Sequence, residues 1–334
     1  MKQFLLRNNN GYAVGVTNFG ATITNILVPV EGRGAVDVVL GYDSPAGYAD
    51  GTCYFGATIG RIANRICRGR LPIGGRAYQM DKNDGGAHAL HGGASGYDKR
   101  VWDVEAVDED TIALRLLSPD GDQGLPGNAD VRVRISLTDN DEVRIDYEAV
   151  SDADTVFNLT NHSYFNLDGF DSGGVGRHML SIDAGYFLPT DAASIPTGEL
   201  RAVEGTPFDF REAKPIGRDW DADDRQLDLA GGFDHCFALN WQRPAGAPAA
   251  RAWSEKSKVA LEVFTDLPGM QLYTGNYLGD DPGTKGGFRP QWRGAFCLET
   301  QHFPDAPNHA GFPSAAYRAG EPFASTTIYR FSHI

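Results

Sequence analysis

Val131-Arg132-Val133-Arg134-Ile135-Ser136-Leu137-Thr138 alternates apolar and polar residues without a break. After Asp139-Asn140-Asp141 the alternation resumes, with Val143, Ile145, Tyr147 and Ala149 set against Arg144, Asp146 and Glu148. Successive side chains of a strand point to opposite faces, so a period of two gives each run one apolar and one charged face. The Asp and Asn residues between the runs supply a turn. The stretch predicts a β-hairpin with one buried face. Outward from it, the same period recurs at 12–17, 21–28, 101–107, 111–117, 258–265 and 326–332. No segment of twelve or more residues carries a helical stripe at i, i+3, i+4, i+7, and a helical turn is expected at most near 220–229. Many short strands separated by Gly- and Pro-rich turns predict an all-β sandwich or barrel. No linker or composition shift divides the chain, so a single domain over residues 1–334 is expected, and no fixed-period repeat suggests a propeller.

Composition narrows the partners. The chain has 334 residues, 41% of them hydrophobic, enough for a large core, and its net charge is −14. An acidic surface repels phosphate backbones and anionic lipid, which argues against nucleic acid and membrane partners and favours a neutral small molecule. Aromatic residues make up 11%, and their flat amphipathic rings suit sugar faces as well as cores. Cys53, Cys67, Cys236 and Cys297 form no C-x-x-C pair and are read as thiols in a reducing compartment. The N-terminal apolar run covers three residues and no stretch of 18 apolar residues occurs, so neither a signal peptide nor a membrane span is expected, and a cytoplasmic location is.

Several stretches carry candidate chemistry. Phe296-Cys297-Leu298-Glu299-Thr300-Gln301 reads as a short buried strand broken by the Pro-rich loop after it, with Glu299 expected at its end. A lone buried Glu either satisfies an Arg or acts on a ligand. Thr160-Asn161-His162-Ser163-Tyr164-Phe165-Asn166 packs hydrogen-bonding side chains between apolar flanks, which is costly unless it lines a site. Gly60-Arg61-Ile62-Ala63-Asn64-Arg65 needs partners for its polar groups, by structural ion pairing or by binding. Leu90-His91-Gly92-Gly93 lets backbone approach a ligand, and Gly231-Gly232-Phe233-Asp234 places Asp234 at the start of a strand. His88 and His91 are spaced like metal ligands but lie in a Gly-rich loop, and no metal site is assigned. Nucleotide-binding loops, zincin motifs and the G-x-S-x-G elbow are missing from the sequence. His91, His162, Asp234 and Glu299 lie far apart, each beside glycine or at an expected strand end, where a sheet can gather them at one rim. A His and a Glu brought together in this way suit general acid–base chemistry.

Taken in order, these motifs resemble the aldose 1-epimerase (galactose mutarotase) family. The resemblance is collinear over nearly the whole chain and includes 18–21, 60–66, 90–93, 96–99, Trp102, 124–128, 160–167, 232–235, 271–276 and 297–301 with Pro304-Asp305. It implies a large antiparallel β-supersandwich with little helix, no cofactor, and interconversion of the α and β anomers of free aldoses. It further implies His162 as general acid, Glu299 as general base, and Asn64, Arg65, His91, Asp234 and Gln271 as residues that hold sugar hydroxyls. The substrate partner would be a small aldose, and the chain a monomer or homodimer. Two other readings use the same residues. Asp234 and Glu299 could be the carboxylate pair of a glycoside hydrolase, or the fold could serve a non-catalytic sugar sensor. From ordinary side-chain values, roughly 4.3 for Glu and 6.5 for His, the acid–base pair predicts an acid limb of activity from Glu299 and an alkaline limb from His162.

Overall fold

The hairpin forms as its period requires. In the computed structural model, which describes residues 1–279 and 284–334, Ala129–Leu137 and Glu142–Ser151 pair antiparallel, with Val133 opposite Tyr147 and Ile135 opposite Ile145. Val131, Val133, Ile135, Val143, Ile145 and Tyr147 are all buried, while Arg134 is exposed. Among the described residues this hairpin is the middle of a nine-stranded sheet. Thr111–Ser118 and Asp103–Val107 extend it on one side; Phe323–His333, Val259–Thr265, Ala250–Trp253, Met179–Ile182 and Lys214–Pro215 extend it on the other. Each alternating run noted in the sequence falls on a strand.

A five-stranded antiparallel sheet lies against it, in the spatial order Arg201–Ala202, Ala184–Phe187, Asp234–Leu239, Gly269–Tyr273, Cys297–Gln301. The two sheets meet through the back of the Glu299 strand. The Tyr329 hydroxyl donates to the Leu298 carbonyl at 3.2 Å, and the Thr300 and Thr327 hydroxyls are 2.5 Å apart. Leu298, Met270, Leu272 and Phe237 join Tyr329, Ile145 and Val133 in one apolar core, the usual filling between the inner faces of stacked sheets. A four-stranded sheet from Gln3–Arg7 to Gly34–Asp37 closes another side of that core.

Helix is scarce, as the sequence predicts. The described residues hold two α-helices of six residues each, Pro45–Asp50 and Arg225–Ala230. The second lies where the sequence allows a helical turn: the Asp224 carboxylate caps it by accepting from the Gln226 N–H, and Gly231 ends it at φ 68°. The first is not expected from the sequence, because its Pro-Ala-Gly-Tyr-Ala-Asp run has no helical apolar stripe. Among the described residues no disulfide forms, and no helix is long and apolar enough to cross a membrane.

Candidate active site

Register explains how the site is assembled. Tyr273 stands opposite Asp234 on one side and Cys297 on the other, and Gln271 stands opposite both Cys236 and Glu299. Directly paired residues share a face of the sheet, as do residues two apart on a strand. Asp234, Tyr273, Cys297, Gln271 and Glu299 therefore project from the face away from the core. Leu272, Leu298 and Thr300 project from the other. Glu299 is the central residue of its strand, not its last as expected from the sequence, and so it lies on the floor of the site instead of the rim.

Two short ladders bring in the rest. Thr58–Ile59 pairs with Thr160–Asn161 and delivers His162, whose backbone is clamped by bonds to Ala57 and Gly56, both 2.9 Å. Arg65–Ile66 pairs with Ala89–Leu90 and delivers Arg65, Asn64 and His91. Asn64 and His91 both sit at positive φ, 64° and 51°. Asn tolerates that region; for His it is a strained position of the kind that collects at functional sites. The surrounding bonds hold it: the His91 N–H donates to the Asn64 carbonyl, and the Asn64 N–H donates to His91 Nδ1, each at 3.1 Å.

A cavity of about 270 Å³ opens above this floor, lined by Asn64, Arg65, His91, His162, Asp234 and Glu299 together with tyrosines 54, 164, 273 and 277. His162 Nε2 lies 3.6 Å from Glu299 Oε1, and both side chains are almost fully buried, at 6% and 3% exposure. The His162 ring stacks on Tyr164 with centroids 4.9 Å apart and has Cys297 Sγ 3.6 Å from Nδ1. The other Glu299 oxygen, Oε2, is buried without a hydrogen-bond partner among the described residues. Asp234 Oδ1 accepts from Gln271 Nε2 at 2.7 Å, and Arg65 Nε donates to Asp84 Oδ2 at 2.8 Å. Six of the seven expected site residues therefore line one cavity. Gln271 does not; it stands behind Asp234 and fixes that carboxylate.

Burial shifts the two central groups in opposite directions. The Glu299 carboxyl is pushed well above the ordinary range by desolvation, with the Asp234 charge adding to the push and Arg65 opposing it. The His162 imidazole is pulled down to about 4 by desolvation, against a smaller upward effect from its own backbone carbonyl. Desolvation disfavours whichever form is charged. Burial thus favours the neutral form of each group in the free site, which opposes the ready carboxylate expected from ordinary side-chain values. Asp234 is also raised by burial, with Arg65 and the Gln271 bond pulling it back down.

His91, His162 and Glu299 offer ligand atoms within 4.8 Å of one another, an arrangement that could hold a metal ion. The hydrogen bonding argues against that use. A metal-bound His ordinarily donates its other ring N–H to an acceptor. His91 Nδ1 instead accepts from the Asn64 N–H, which leaves the proton on Nε2, the atom a metal would need.

The sequence places Tyr164 and Cys297 inside the suspicious stretches but signals no site role for them or for Tyr54, Tyr273 and Tyr277. Tyr273 is two residues from Gln271 and Cys297 two from Glu299, so the strand period would have placed them on the same face. Other polar residues in the suspicious stretches are structural. Arg61 is buried and donates to the Pro126 carbonyl, to Thr155 and to Ser118, using neutral oxygens, a structural role that is neither of the two alternatives the sequence leaves open, ion pairing or binding. Asn161 and Asn166 latch loops, donating to the carbonyls of Gly56, Gly173 and Gly294.

Fold and site together define a class: a large antiparallel β-sandwich carrying a buried carboxyl–imidazole pair under a polar, tyrosine-walled cavity. The chain belongs to the aldose 1-epimerase family, whose pattern it matches over residues 2–330. It is 39% identical over 328 residues to the aldose 1-epimerase of Escherichia coli (strain K12), covering 98% of this chain and 94% of that protein. It is 40% identical over 320 residues to the galactose mutarotase of Bos taurus, covering 96% and 91%. A solved aldose epimerase homologue from C. elegans superposes with a TM-score of 0.92 at 31% identity, covering 100% of this chain and 99% of that one. The galactose 1-epimerase from Lactobacillus acidophilus superposes with a TM-score of 0.86 at 33% identity, covering 99% and 94%.

Proposed function

We propose that this protein is an aldose 1-epimerase, an isomerase that interconverts the α and β anomers of free aldohexoses such as galactose and glucose. The observation that carries the reading is the His162–Glu299 pair, 3.6 Å apart on the floor of a cavity otherwise furnished to hold hydroxyls. Opening a pyranose requires two proton transfers at neighbouring atoms. Glu299 takes the proton of the anomeric hydroxyl, the freed electron pair forms the C1 carbonyl, and the bond from C1 to the ring oxygen breaks. His162 Nε2–H gives the ring oxygen its proton. Rotation about the C1–C2 bond turns the aldehyde over, and the reverse transfers close the ring on the other face and restore both groups. No atom is gained or lost, so base and acid end as they began.

The remaining residues bind. Asp234 accepts from hydroxyls, and Arg65, His91 Nε2–H and Asn64 present donors to them, so that C1 moves while the rest of the ring is held. Gln271 acts through Asp234 by orienting its carboxylate. A glycoside hydrolase reading would require Asp234 to share the chemistry with Glu299; its bond to Gln271 and its attraction to Arg65 suit a binding carboxylate instead. We further propose a single mutarotase-like domain over residues 1–334, working as a cytoplasmic monomer or homodimer on a free sugar. Polarimetry of freshly dissolved α-D-galactose tests the activity. Decay of rotation no faster than the uncatalysed rate, or release of monosaccharide from a disaccharide substrate, would remove it.

A further inference from the structure

A second cavity of about 310 Å³ adjoins the first, and the two share Thr52 and Tyr54 as lining residues. Tyr54 is the wall between them. One side of its ring meets His91 and His162, with centroids 4.8 and 5.8 Å away, and Lys99 Nζ lies 5.7 Å from its centroid. Tyr54 is held at φ 57°, a strained position for a bulky residue. The second cavity is lined by Asp98, Lys99, Tyr42 and Tyr48 besides the shared pair. Asp98 is only 7% exposed, and its Oδ1 is buried with no hydrogen-bond partner among the described residues. Burial pushes its carboxyl up to about 6. Lys99, Arg100 and the Asp98 backbone N–H offset part of the desolvation cost, and the rest stands at a carboxyl that lines the cavity.

The chemistry of the lining selects the ligand. Asp98 is the only carboxylate among the described lining residues and has Lys99 beside it, a poor set for a divalent cation, which favours several oxygens. A carboxylate on the wall repels phosphate and other anions. A carboxylate, an ammonium group and tyrosine rings accept and donate to hydroxyls and cover an apolar ring face. This is the binding half of the neighbouring site, Asp234, Arg65 and its tyrosines, without the acid–base pair.

We propose that the second cavity is a carbohydrate subsite that takes a pyranose ring, its hydroxyls donating to Asp98 and accepting from Lys99. Two sources supply such a ring: the second unit of a reducing disaccharide whose first unit lies over Glu299, or a separate monosaccharide. The inference rests on the aldose reading of the first cavity. Turnover of galactose by the unaltered protein tests that reading alone.

Two variants test the subsite. Ala94 is exposed and lines only the second cavity, so Ala94→Trp fills it without touching the catalytic one. Asp98→Ala removes the carboxylate. The unaltered protein and both variants are titrated calorimetrically with galactose and assayed by polarimetry with galactose and with reducing disaccharides. A hydrogen bond to a charged group contributes about 1.5–3 kcal/mol, so losing it costs about tenfold or more. If the ring belongs to a disaccharide, kcat/KM for that sugar falls about tenfold in each folded variant while that for galactose changes less than twofold. If it is a separate sugar, the unaltered protein binds a second equivalent of galactose, which Ala94→Trp abolishes. One equivalent of galactose, together with an unchanged disaccharide-to-galactose ratio in Ala94→Trp, overturns the proposal, whether or not Asp98→Ala folds.

Discussion

The central hairpin of the nine-stranded sheet and the Glu299 strand of the five-stranded sheet are both regular antiparallel β-structure, yet they are built to different rules. Along Ala129–Leu137 burial alternates strictly, and every second side chain is apolar. Along Cys297–Gln301 all five residues are buried, and every second one is polar or a thiol. The hairpin has one face in the core and one towards water. The Glu299 strand has Leu298 and Thr300 towards the core and Cys297, Glu299 and Gln301 towards the site. A hidden polar face costs free energy on folding, a cost that the proposed chemistry of that face would explain. On the proposed function, stability resides in the first region and proton transfer in the second, and each should be open to perturbation without the other.

The largest effects fall on the site. Glu299→Gln and His162→Asn keep shape and stop proton traffic, and each is expected to lower kcat by ~10²–10⁴. Because both protons move in one cycle, the double variant should lose much less than the product of the two losses. Polarimetry with the uncatalysed rate subtracted measures all three. Strictly multiplicative losses would show that the two groups do not act as a unit. The pH profile sharpens this. With His162 pulled down to about 4 and Glu299 raised by burial, the pair is expected to hold one proton above the His162 value until the carboxyl ionises, mostly on the carboxyl. That one-proton state contains, as its minor form, the carboxylate and imidazolium that react. Activity is therefore lost on the acid side as His162 gains a second proton near about 4, and on the alkaline side as Glu299 loses the shared one. Both limbs belong to the pair. An imidazole proton resonance of His162 titrating near its ordinary value of roughly 6.5 in the free enzyme would break the argument from burial.

The mirror-image experiment is in the hairpin. Ile135 is buried opposite Ile145 and lies far in sequence from every site residue. Ile135→Ala is expected to cost ~2–5 kcal/mol in urea unfolding with kcat unchanged on the folded fraction. A fall in kcat comparable to that of the Glu299 variant would mean that the two sheets are not separable. Asp234→Asn ranks next. A binding carboxylate contributes about 1.5–3 kcal/mol, so KM for galactose should rise ~10–100-fold, with a changed preference between galactose and glucose. Abolished turnover at saturating sugar would move Asp234 into the chemistry.

The two regions are also unequally legible in the sequence. The hairpin can be read outright because Arg132, Arg134, Arg144 and Glu148 mark one face for water while Val133 and Ile145 mark the other for the core. The Glu299 strand carries no such contrast, so its period is hidden and the sequence places Glu299 at its end. Its polar residues still give it away, as they do His162, because a polar group flanked by apolar neighbours must be paired or used. The family resemblance then assigns roles that spacing alone leaves open. What stays out of reach depends on register: Gln271 beside Glu299 but behind Asp234, Tyr273 between Asp234 and Cys297, and Tyr54 arriving from a distant loop. Arg61 and Asn161 look as functional in the sequence as Arg65 and His162, and only their partners separate them.

The smallest expected effect bears most directly on the contrast between the regions. If the polar face of the Glu299 strand is held at a cost, removing its charge should stabilise the fold. Glu299 has its folded pKa raised above the unfolded value of roughly 4.3. A group shifted in this direction binds its proton more tightly in the native state. Its favourable contribution is complete below the unfolded value and is lost as pH rises through the folded one. Gln cannot ionise, so Glu299→Gln should match the unaltered protein in acid and become the more stable of the two as pH climbs through that window. The gain should be on the order of 1 kcal/mol, a size readable as a shift in urea midpoint at constant slope. His162→Asn should show the opposite slope. The ring is pulled down to about 4 in the folded state, so its stabilising contribution is present above roughly 6.5 and is lost as pH falls. Replacing it should therefore help most in acid. Opposite pH slopes for two residues 3.6 Å apart would identify burial, and not a favourable ion pair between them, as the force that sets their charge. Parallel slopes, with both variants less stable at neutral pH, would mean that the pair is charged in the free enzyme and holds the site together.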